Sequence, residues 1–210
     1  MKLKHIITEV PLPSDWDNSQ YKSNVSFAQR IRYAKERAKQ VGVGSSRVAF
    51  VIQHEGRKTV LKIAKNKKGI AQNDYESQMF SDYYVTGLDI TVPMIDYDED
   101  NDTPTWVHVE YADKMRPNQF KKMFSGVSHN EIDGVISYLT GQRRVSPELE
   151  ERYQQLQEDN EAIDSLVDLV GNYGLPMGDF TRLANWGVYK DSPVIIDLGL
   201  SSDIQSKYYS

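Results

Sequence analysis

The spacing of apolar residues changes along this chain, and that change limits the folds that it can adopt. Two β-rich runs, RVAFVIQHEG and RKTVLKIAK, lie in the first half and are separated by His54-Glu55-Gly56. Such runs around a short Gly-containing link predict an antiparallel β-hairpin. Beyond residue 112 the apolar residues instead recur every three or four positions, which predicts helices. The sequence therefore predicts an α+β fold.

Further elements are predicted on both sides of the hairpin. In the first half we expect helices at residues 24–41 and 66–87, and strands at residues 90–97 and 105–111. In the second half we expect helices at residues 118–125 and 130–140, one long helix from Ser146-Pro147 to Gly171 or Gly174, strands at residues 186–189 and 194–197, and a short tail.

Composition excludes several classes of function. The 210 residues include no cysteine, which excludes disulfides, thiolate zinc sites and cysteine nucleophiles. The four histidines are dispersed along the chain, so we expect no histidine-based metal cluster. The net charge of −5 argues against a dedicated nucleic-acid binder, because neutralising phosphates needs a basic face. No run approaches the roughly 18 uncharged apolar residues of a membrane helix, and the N-terminus lacks an apolar signal core. We therefore expect a cytoplasmic protein with no membrane partner.

Four groups of residues follow one another in an order that suits phosphate and metal chemistry. Glycines and small hydroxyl residues let backbone N–H groups approach phosphate oxygens, and a lysine held by a carboxylate supplies a fixed positive charge. Mg²⁺ prefers the hard oxygen ligands of Asp and Asn side chains. The groups are the turn Gly42-Val43-Gly44-Ser45-Ser46, the strand lysine Lys62, the helix acid Glu76, and the C-terminal group Asp179, Asn185 and Asp197.

This order resembles that of the protein kinase-like phosphotransferases. The resemblance implies a two-lobed protein kinase-like fold. It has an N-lobe of residues 1–111, with a helix, an antiparallel sheet and an αC-like helix, and a reduced helical C-lobe of residues 112–210. It also implies ATP and Mg²⁺ as cofactors, bound at a nucleotide-sized cleft between the lobes.

The resemblance also implies a role for each residue. Gly42, Gly44, Ser45 and Ser46 would cover the nucleotide phosphates, and Lys62 would contact them while pairing with Glu76. Backbone groups of Glu110, Tyr111 and Ala112 would face the adenine. Asp179 would be the catalytic base, and Asn185 and Asp197 would hold Mg²⁺.

The residue patterns leave simpler interpretations open. Gly42-Val43-Gly44 also fits a plain turn, and the third glycine of the kinase loop is missing. Lys62 alternates with Leu61 and Ile63, which also fits a solvent-facing lysine, and Glu76 also fits a surface charge. For Asp197 the apolar run before it favours a ligand, because a buried carboxylate is costly unless it is paired or binds a cation.

Gly178-Asp179 resembles the His-Gly-Asp form of the aminoglycoside phosphotransferases and related small-molecule kinases. Met177 stands at the histidine position, and six positions rather than five separate Asp179 from Asn185, so the loop must absorb one extra residue. Arg182 in this loop fits either a phosphate contact or a surface arginine. The basic run of Lys65, Lys67 and Lys68 with Asn66 is predicted to be a solvated strand-to-helix loop.

Two functions remain open. Only 13 residues follow Asp197, so we expect no platform for a peptide substrate. The first function is a minimal ATP-dependent phosphotransferase that acts on an unknown, small or unusual acceptor. The second is a pseudokinase scaffold that binds a host or virion protein, because residues 40–200 also resemble short kinase-like proteins of bacteriophages and bacteria. A phage origin would place the protein in the host cytoplasm.

Overall fold

The computed structural model describes residues 12, 13, 15–199 and 201–209. The chain divides into two compact units. The first unit is Met1–Ile70 with Met94–Glu110, and the second is Ala71–Pro93 with Tyr111–Ser210. Residues 71–93 thus group with the second unit, and the lobe boundary at residue 111 stays a prediction. The first eleven residues, which bear on the expectation about a signal sequence, lie outside the described part.

The first unit is built around a five-stranded antiparallel sheet with the strand order β1-β2-β3-β5-β4. The strands are β1 (Lys39–Val43), β2 (Arg47–His54), β3 (Arg57–Ala64), β4 (Met94–Tyr97) and β5 (Trp106–Glu110). The predicted hairpin is confirmed as β2 and β3. Its two-residue turn, Glu55 and Gly56, has φ values of 50° and 78°, which suits the type I′ turns of tight hairpins.

Strand β1 is an element that the sequence analysis missed. The helix predicted at residues 24–41 is confirmed only as α1 (Phe27–Lys35), which starts at a capping box between Ser26 and Gln29. The chain then becomes extended, and Val43 pairs with Val48 of β2. Because this pairing is a tertiary contact, the apolar spacing of the segment alone does not reveal it.

One face of this sheet carries the core of the first unit. Phe50 of β2 and Leu61 and Ile63 of β3 are fully buried there. The segment before β1 contributes further buried side chains to the same core: Leu12, Trp16, Tyr21 and Ala34. The N-terminal segment therefore forms part of the hydrophobic core of this unit.

The helix predicted at residues 66–87 is two helices, α2 (Lys67–Ser81) and α3 (Tyr83–Gly87). Asp82 separates them, because its backbone is extended and its carboxylate accepts a hydrogen bond from the Tyr84 N–H at 2.9 Å. Aspartate is a favoured residue at this N-cap position. The N-cap at Asp82 thus interrupts an apolar pattern that predicts one continuous helix.

The second unit is mostly helical. Its later helices are α4 (Pro117–Met123), α5 (Ile132–Leu139), α6 (Pro147–Asp159), α7 (Glu161–Tyr173) and α8 (Ser202–Tyr209). The helices predicted at residues 118–125 and 130–140 are confirmed as α4 and α5. The short tail predicted after the last strand contains α8, a helix that the sequence analysis did not predict.

The single long helix predicted from Ser146 is also wrong, because the chain breaks between α6 and α7 at Asn160. The side-chain oxygen of Asn160 accepts hydrogen bonds from the N–H groups of Ala162 and Ile163, which caps α7. Its amide nitrogen donates to the carbonyl oxygen of Met123 at 2.8 Å. One side chain therefore starts α7 and attaches it to the end of α4.

A small antiparallel sheet completes the second unit. Its strands, in spatial order, are β6 (Asp113–Lys114), β7 (Trp186–Tyr189) and β8 (Ser192–Ile195). Strands β7 and β8 confirm the two predicted C-terminal strands, although β8 ends before the predicted end at residue 197. At the end of β8, the Ile195 N–H donates a hydrogen bond to the Ile90 carbonyl at 2.8 Å. The predicted α+β class, with an antiparallel sheet in the first half and helices in the second, is confirmed.

Candidate functional site

Two short 3-10 helical turns shape the loop from Asp179 to Asn185. The first is Met177–Asp179 and the second is Leu183–Asn185. In the second, the Asn185 N–H donates to the Arg182 carbonyl at 2.8 Å. The extra residue of this loop is therefore accommodated in regular hydrogen-bonded turns.

Asn185 is held by hydrogen bonds on both sides. Its side-chain Nδ2 donates to the backbone carbonyl of Asp179 at 3.0 Å, and its own carbonyl accepts from the Ile196 N–H at 2.8 Å. Because an Asn side chain has one amide nitrogen and one oxygen, this arrangement leaves Oδ1 as its acceptor atom. The same bonds join the loop to the end of β8, immediately before Asp197.

Asp197 lies on a loop rather than at the buried end of a strand. Strand β8 ends at Ile195, and the Asp197 residue is exposed whereas Leu198 is buried. Its Oδ1 accepts a hydrogen bond from the Gly199 N–H at 3.4 Å. The prediction that burial of this carboxylate points to a ligand is thus wrong in its premise, because the chain turns before Asp197 is reached.

Asp179, Asn185 and Asp197 line one small pocket of the second unit. The pocket has a volume of about 10 Å³, roughly the space that one water molecule requires. The rest of its lining is apolar and comes from Leu175, Pro176, Phe180, Trp186, Ile195 and Leu198. Three polar residues between positions 179 and 197 therefore line one concavity.

The environment of Asp179 changes its acidity. Burial raises the pKa of the Asp179 carboxyl above its usual value, and the negative charge of Asp197 raises it further. The guanidinium of Arg182, whose Nη1 lies 3.7 Å from Asp179 Oδ1, lowers the same pKa to a smaller extent. A carboxyl shifted in this way inside a pocket is typical of groups that exchange protons during catalysis.

The oxygen donors of this pocket fit Mg²⁺ in chemistry. The metal prefers a few carboxylate or amide oxygens completed by phosphates and waters, which Asp197 and the Oδ1 atom of Asn185 suit. Within residues 12, 13, 15–199 and 201–209, no group of three or more His, Asp or Glu side chains is arranged to hold a metal. Such a group is not needed where phosphates complete the coordination.

The buried side chain of Trp186 packs under the loop that carries Asp179 and is hydrogen-bonded to it. Its side chain is 1% exposed, and its Nε1–H donates to the Phe180 carbonyl at 2.8 Å. Phe120 of α4 and Phe124, the residue just after α4, pack edge-on against its ring, with centroids 5.2 Å and 5.1 Å away. The loop that carries Asp179 is thus fixed to the core of the second unit.

His129 is a residue that the sequence analysis did not connect with this loop. Its Nδ1 lies 2.9 Å from the carbonyl oxygen of Thr181, and because a carbonyl only accepts, Nδ1 donates. The ring also packs edge-on against Phe120, with centroids 6.0 Å apart. Spacing did not indicate this contact, since 52 positions separate the two residues.

In the first unit, Lys62 is buried rather than solvent-facing. It lies on β3 opposite Ala49 and Val107 and is 7% exposed. Glu76, on α2 in the second unit, is 1% exposed, which excludes a surface charge for this residue as well. The pairing of Lys62 with Glu76 stays a prediction.

The predicted Gly/Ser turn is the tip of the β1–β2 hairpin. Gly42 lies within β1 opposite Ala49, and the Gly44 N–H donates to the Arg47 carbonyl at 2.9 Å, so Ser45 and Ser46 form the tip. The role of Gly42, Gly44, Ser45 and Ser46 in covering nucleotide phosphates stays a prediction.

The residues predicted to face the adenine are at the end of β5 and just after it. The Glu110 carboxylate pairs with Arg57 Nη1 at 2.9 Å, so its side chain is engaged within the sheet. Ala112, in the second unit, is half-buried. It lies so close to Gly187 that a Cβ added to Gly187 would be only 2.7 Å from the Ala112 Cβ. The contribution of Glu110 and Ala112 backbone groups to adenine binding stays a prediction.

Across the described residues, we find no helix with the combined length and apolar character needed to span a bilayer.

Comparisons with known proteins give a limited likeness. No protein-family model matches the chain, and no curated protein matches it. A crystal structure of the aminoglycoside phosphotransferase APH(4)-Ia is 15% identical, with a TM-score of 0.28, over 55% of this chain and 37% of that one. A thermostable mutant in ternary complex with ADP and hygromycin B is 16% identical, with a TM-score of 0.26, over 50% and 32%. The chain thus spans about a third of the length of those chains.

Proposed function

We propose that this protein binds ATP and Mg²⁺ and transfers the terminal phosphoryl group to an acceptor hydroxyl. The observation that carries this proposal is the pocket shared by Asp179, Asn185 and Asp197, together with the raised pKa of Asp179. Two carboxylates in different surroundings are suited to different tasks, one to proton transfer and one to metal binding.

Asp179 takes the proton of the acceptor hydroxyl in this proposal. The hydroxyl oxygen forms a bond to the γ-phosphorus while the bond from that phosphorus to the β,γ-bridging oxygen breaks, and ADP leaves. A base whose pKa lies closer to neutrality than that of an ordinary carboxyl transfers protons more effectively near pH 7. The pocket position and raised pKa of Asp179 support this role.

Asn185 and Asp197 hold the metal in this proposal. Asn185 Nδ2 donates a hydrogen bond to the Asp179 carbonyl, which leaves Oδ1 as the side-chain atom that binds the metal. The same hydrogen bond fixes the position of Asn185 relative to the base. When bound, Mg²⁺ neutralises the phosphate charge that otherwise repels the attacking oxygen.

Lys62 contacts the phosphates, with Glu76 as its partner. The burial of both side chains supports these roles, because a buried ion is costly unless it meets an opposite charge. Gly42, Gly44, Ser45 and Ser46 contribute the turn above the phosphates, and Glu110 and Ala112 offer backbone groups to the adenine. The acceptor is a hydroxyl compound whose class the experiment below identifies.

A nucleotide-binding scaffold without transfer activity is the second candidate. The ion pair between Arg182 and Asp179 favours it, because the guanidinium lowers the basicity available at the carboxylate. Met177 at the position of the family histidine points in the same direction.

Phosphate release and transfer from ATP labelled at the γ-phosphate distinguish the two candidates. We expect the wild type to release or transfer label in Mg²⁺ buffer, with a higher rate when a suitable hydroxyl acceptor is added from a panel of sugars, aminoglycosides and serine-containing proteins. Asp197→Asn removes a metal ligand and should reduce this rate at least a hundredfold. Binding of ATP with no turnover on any acceptor would support the scaffold instead.

A further inference from the structure

The tip of the β1–β2 hairpin is attached to the start of helix α2. The Lys65 N–H donates to the Ser46 carbonyl at 2.8 Å, and the Asn66 side-chain Nδ2 donates to the Ser45 carbonyl at 3.0 Å. Both carbonyls of the tip are therefore held by the segment between β3 and α2, which the sequence analysis predicted to be a solvated loop.

Asn66 makes this attachment while capping a helix. Its Oδ1 accepts a hydrogen bond from the Gly69 N–H at 3.0 Å, and its backbone carbonyl accepts from the Ile70 N–H at 3.2 Å. Asn66 directly precedes α2, so it occupies the N-cap position, where Asn, Asp and Ser are favoured. Among the small capping residues, however, only Asn also offers an amide N–H₂ group that reaches the Ser45 carbonyl.

Gly69 allows the close approach. A Cβ built on it would lie 2.2 Å from the Ser46 carbonyl oxygen and 3.0 Å from the Ala64 Cα. Real side chains do not tolerate such distances, so any other residue would push the tip away from the helix. The contact between tip and helix is thus specified at two positions, Asn66 and Gly69.

The orientation of the tip follows from the geometry of the peptide group. The carbonyl of Ser45 and the N–H of Ser46 belong to one planar trans peptide and point in opposite directions. Holding the Ser45 carbonyl on Asn66 therefore fixes the direction of the Ser46 N–H as well. In phosphate-binding loops it is the backbone N–H groups whose directions matter.

We propose that Asn66 is a positioning residue for phosphate binding, which sets the orientation of the Ser45–Ser46 peptide above the nucleotide phosphates. This inference rests on the proposed function, because it assigns a role in binding the same nucleotide. Asn66 itself touches no nucleotide and acts through the hairpin tip. Its effect is therefore confined to ligands that carry phosphates beneath that tip.

Asn66→Ser tests the proposal without adding a charge near the phosphates. Serine retains an N-cap for α2, so the helix loses little stability, while its short side chain does not bridge to Ser45. We expect the dissociation constants of ATP and ADP with Mg²⁺, measured by calorimetry, to rise at least tenfold, and that of adenosine to change less than twofold. Asn66→Gly, which also remains an acceptable cap, should give the same selective loss.

Asn160→Ser is the matched control. Asn160 likewise caps a helix through its oxygen and donates its amide to a carbonyl, that of Met123, but it lies in the second unit. We expect it to leave all three dissociation constants unchanged. Equal weakening of ATP and adenosine by Asn66→Ser, or no weakening, would overturn the inference while the proposed function stands. A wild type that binds no nucleotide would overturn both.

Discussion

Asp179→Asn is expected to raise the melting temperature at pH 7 while reducing phosphoryl transfer by about a hundredfold to ten-thousandfold, the usual effect of losing a general base. The gain in stability has a simple cause. The folded protein keeps the Asp179 carboxylate in a partly buried pocket beside the Asp197 carboxylate, which disfavours its charged form. The neutral amide of asparagine avoids that cost.

The pH dependence of this gain has a definite sign. The pKa of Asp179 is higher in the folded protein than the ordinary value of 3.8, so the folded state binds more protons between the two values. Wild-type stability therefore falls as the pH rises through that window, and the penalty is complete above the folded-state pKa. The difference in melting temperature between Asp179→Asn and wild type should be larger at pH 7 than at about pH 4.

Asp82→Asn is the control of opposite sign. Hydrogen bonds from Tyr173 and from the Tyr84 backbone lower the pKa of Asp82, so its charge stabilises the fold above pH 3.8 and that stabilisation is lost as the pH falls. We expect Asp82→Asn to lower the melting temperature at pH 7, and this loss to become smaller as the pH falls below 3.8. Calorimetric scans at several pH values check both variants, and a lower melting temperature for Asp179→Asn at pH 7 would contradict the argument.

Of the variants proposed for this protein, Trp186→Ala is expected to lower the free energy of unfolding the most. Replacing a fully buried aromatic side chain costs about 3–5 kcal/mol, a large part of the 5–15 kcal/mol that a protein of this kind typically has. Trp186 is 1% exposed, packs against Phe120 and Phe124, and holds the Phe180 carbonyl. We expect the denaturant midpoint of unfolding to fall strongly.

Trp186→Phe separates packing from hydrogen bonding. Phenylalanine keeps an aromatic ring against α4 but has no N–H for the buried Phe180 carbonyl, and an unpaired buried acceptor costs about 1–3 kcal/mol. We therefore expect an intermediate loss of unfolding free energy in urea. The proposed role of the indole N–H would be wrong if Trp186→Phe were as stable as the wild type.

The elements that the sequence predicted well are those whose cause is local. The β2–β3 hairpin follows from alternating apolar residues around Glu55-Gly56, and α4 and α5 follow from apolar spacing. Strand β1 was missed because its extended form depends on pairing with β2. The helix breaks at Asp82 and Asn160 were missed because one capping side chain interrupts a pattern that is apolar on both sides.

The candidate site was predictable in its residues but only partly in its surroundings. Asp179, Asn185 and Asp197 were chosen from their order and spacing, and they line one pocket. The exposed position of Asp197 and the hydrogen bond from His129 to Thr181 could not be predicted from the sequence, because both depend on the path of the folded chain. The capping and bridging by Asn66 likewise became visible only in three dimensions.

Thermal unfolding with and without millimolar ATP and Mg²⁺ tests the central claim most directly, on the wild type, Asp197→Asn and Lys62→Ala. A ligand present at 100 times its dissociation constant stabilises the native state by about 2.7 kcal/mol, or roughly 5–10 °C for a chain of this size. Asp203→Asn and Lys58→Ala replace exposed charges, the first on α8 and the second on the same strand as Lys62, and serve as controls.

We predict that ATP and Mg²⁺ together raise the melting temperature of the wild type and of both controls by several degrees, and that Asp197→Asn and Lys62→Ala lose this shift. No shift in the wild type, or an equal shift in all five proteins, would contradict nucleotide binding through these residues.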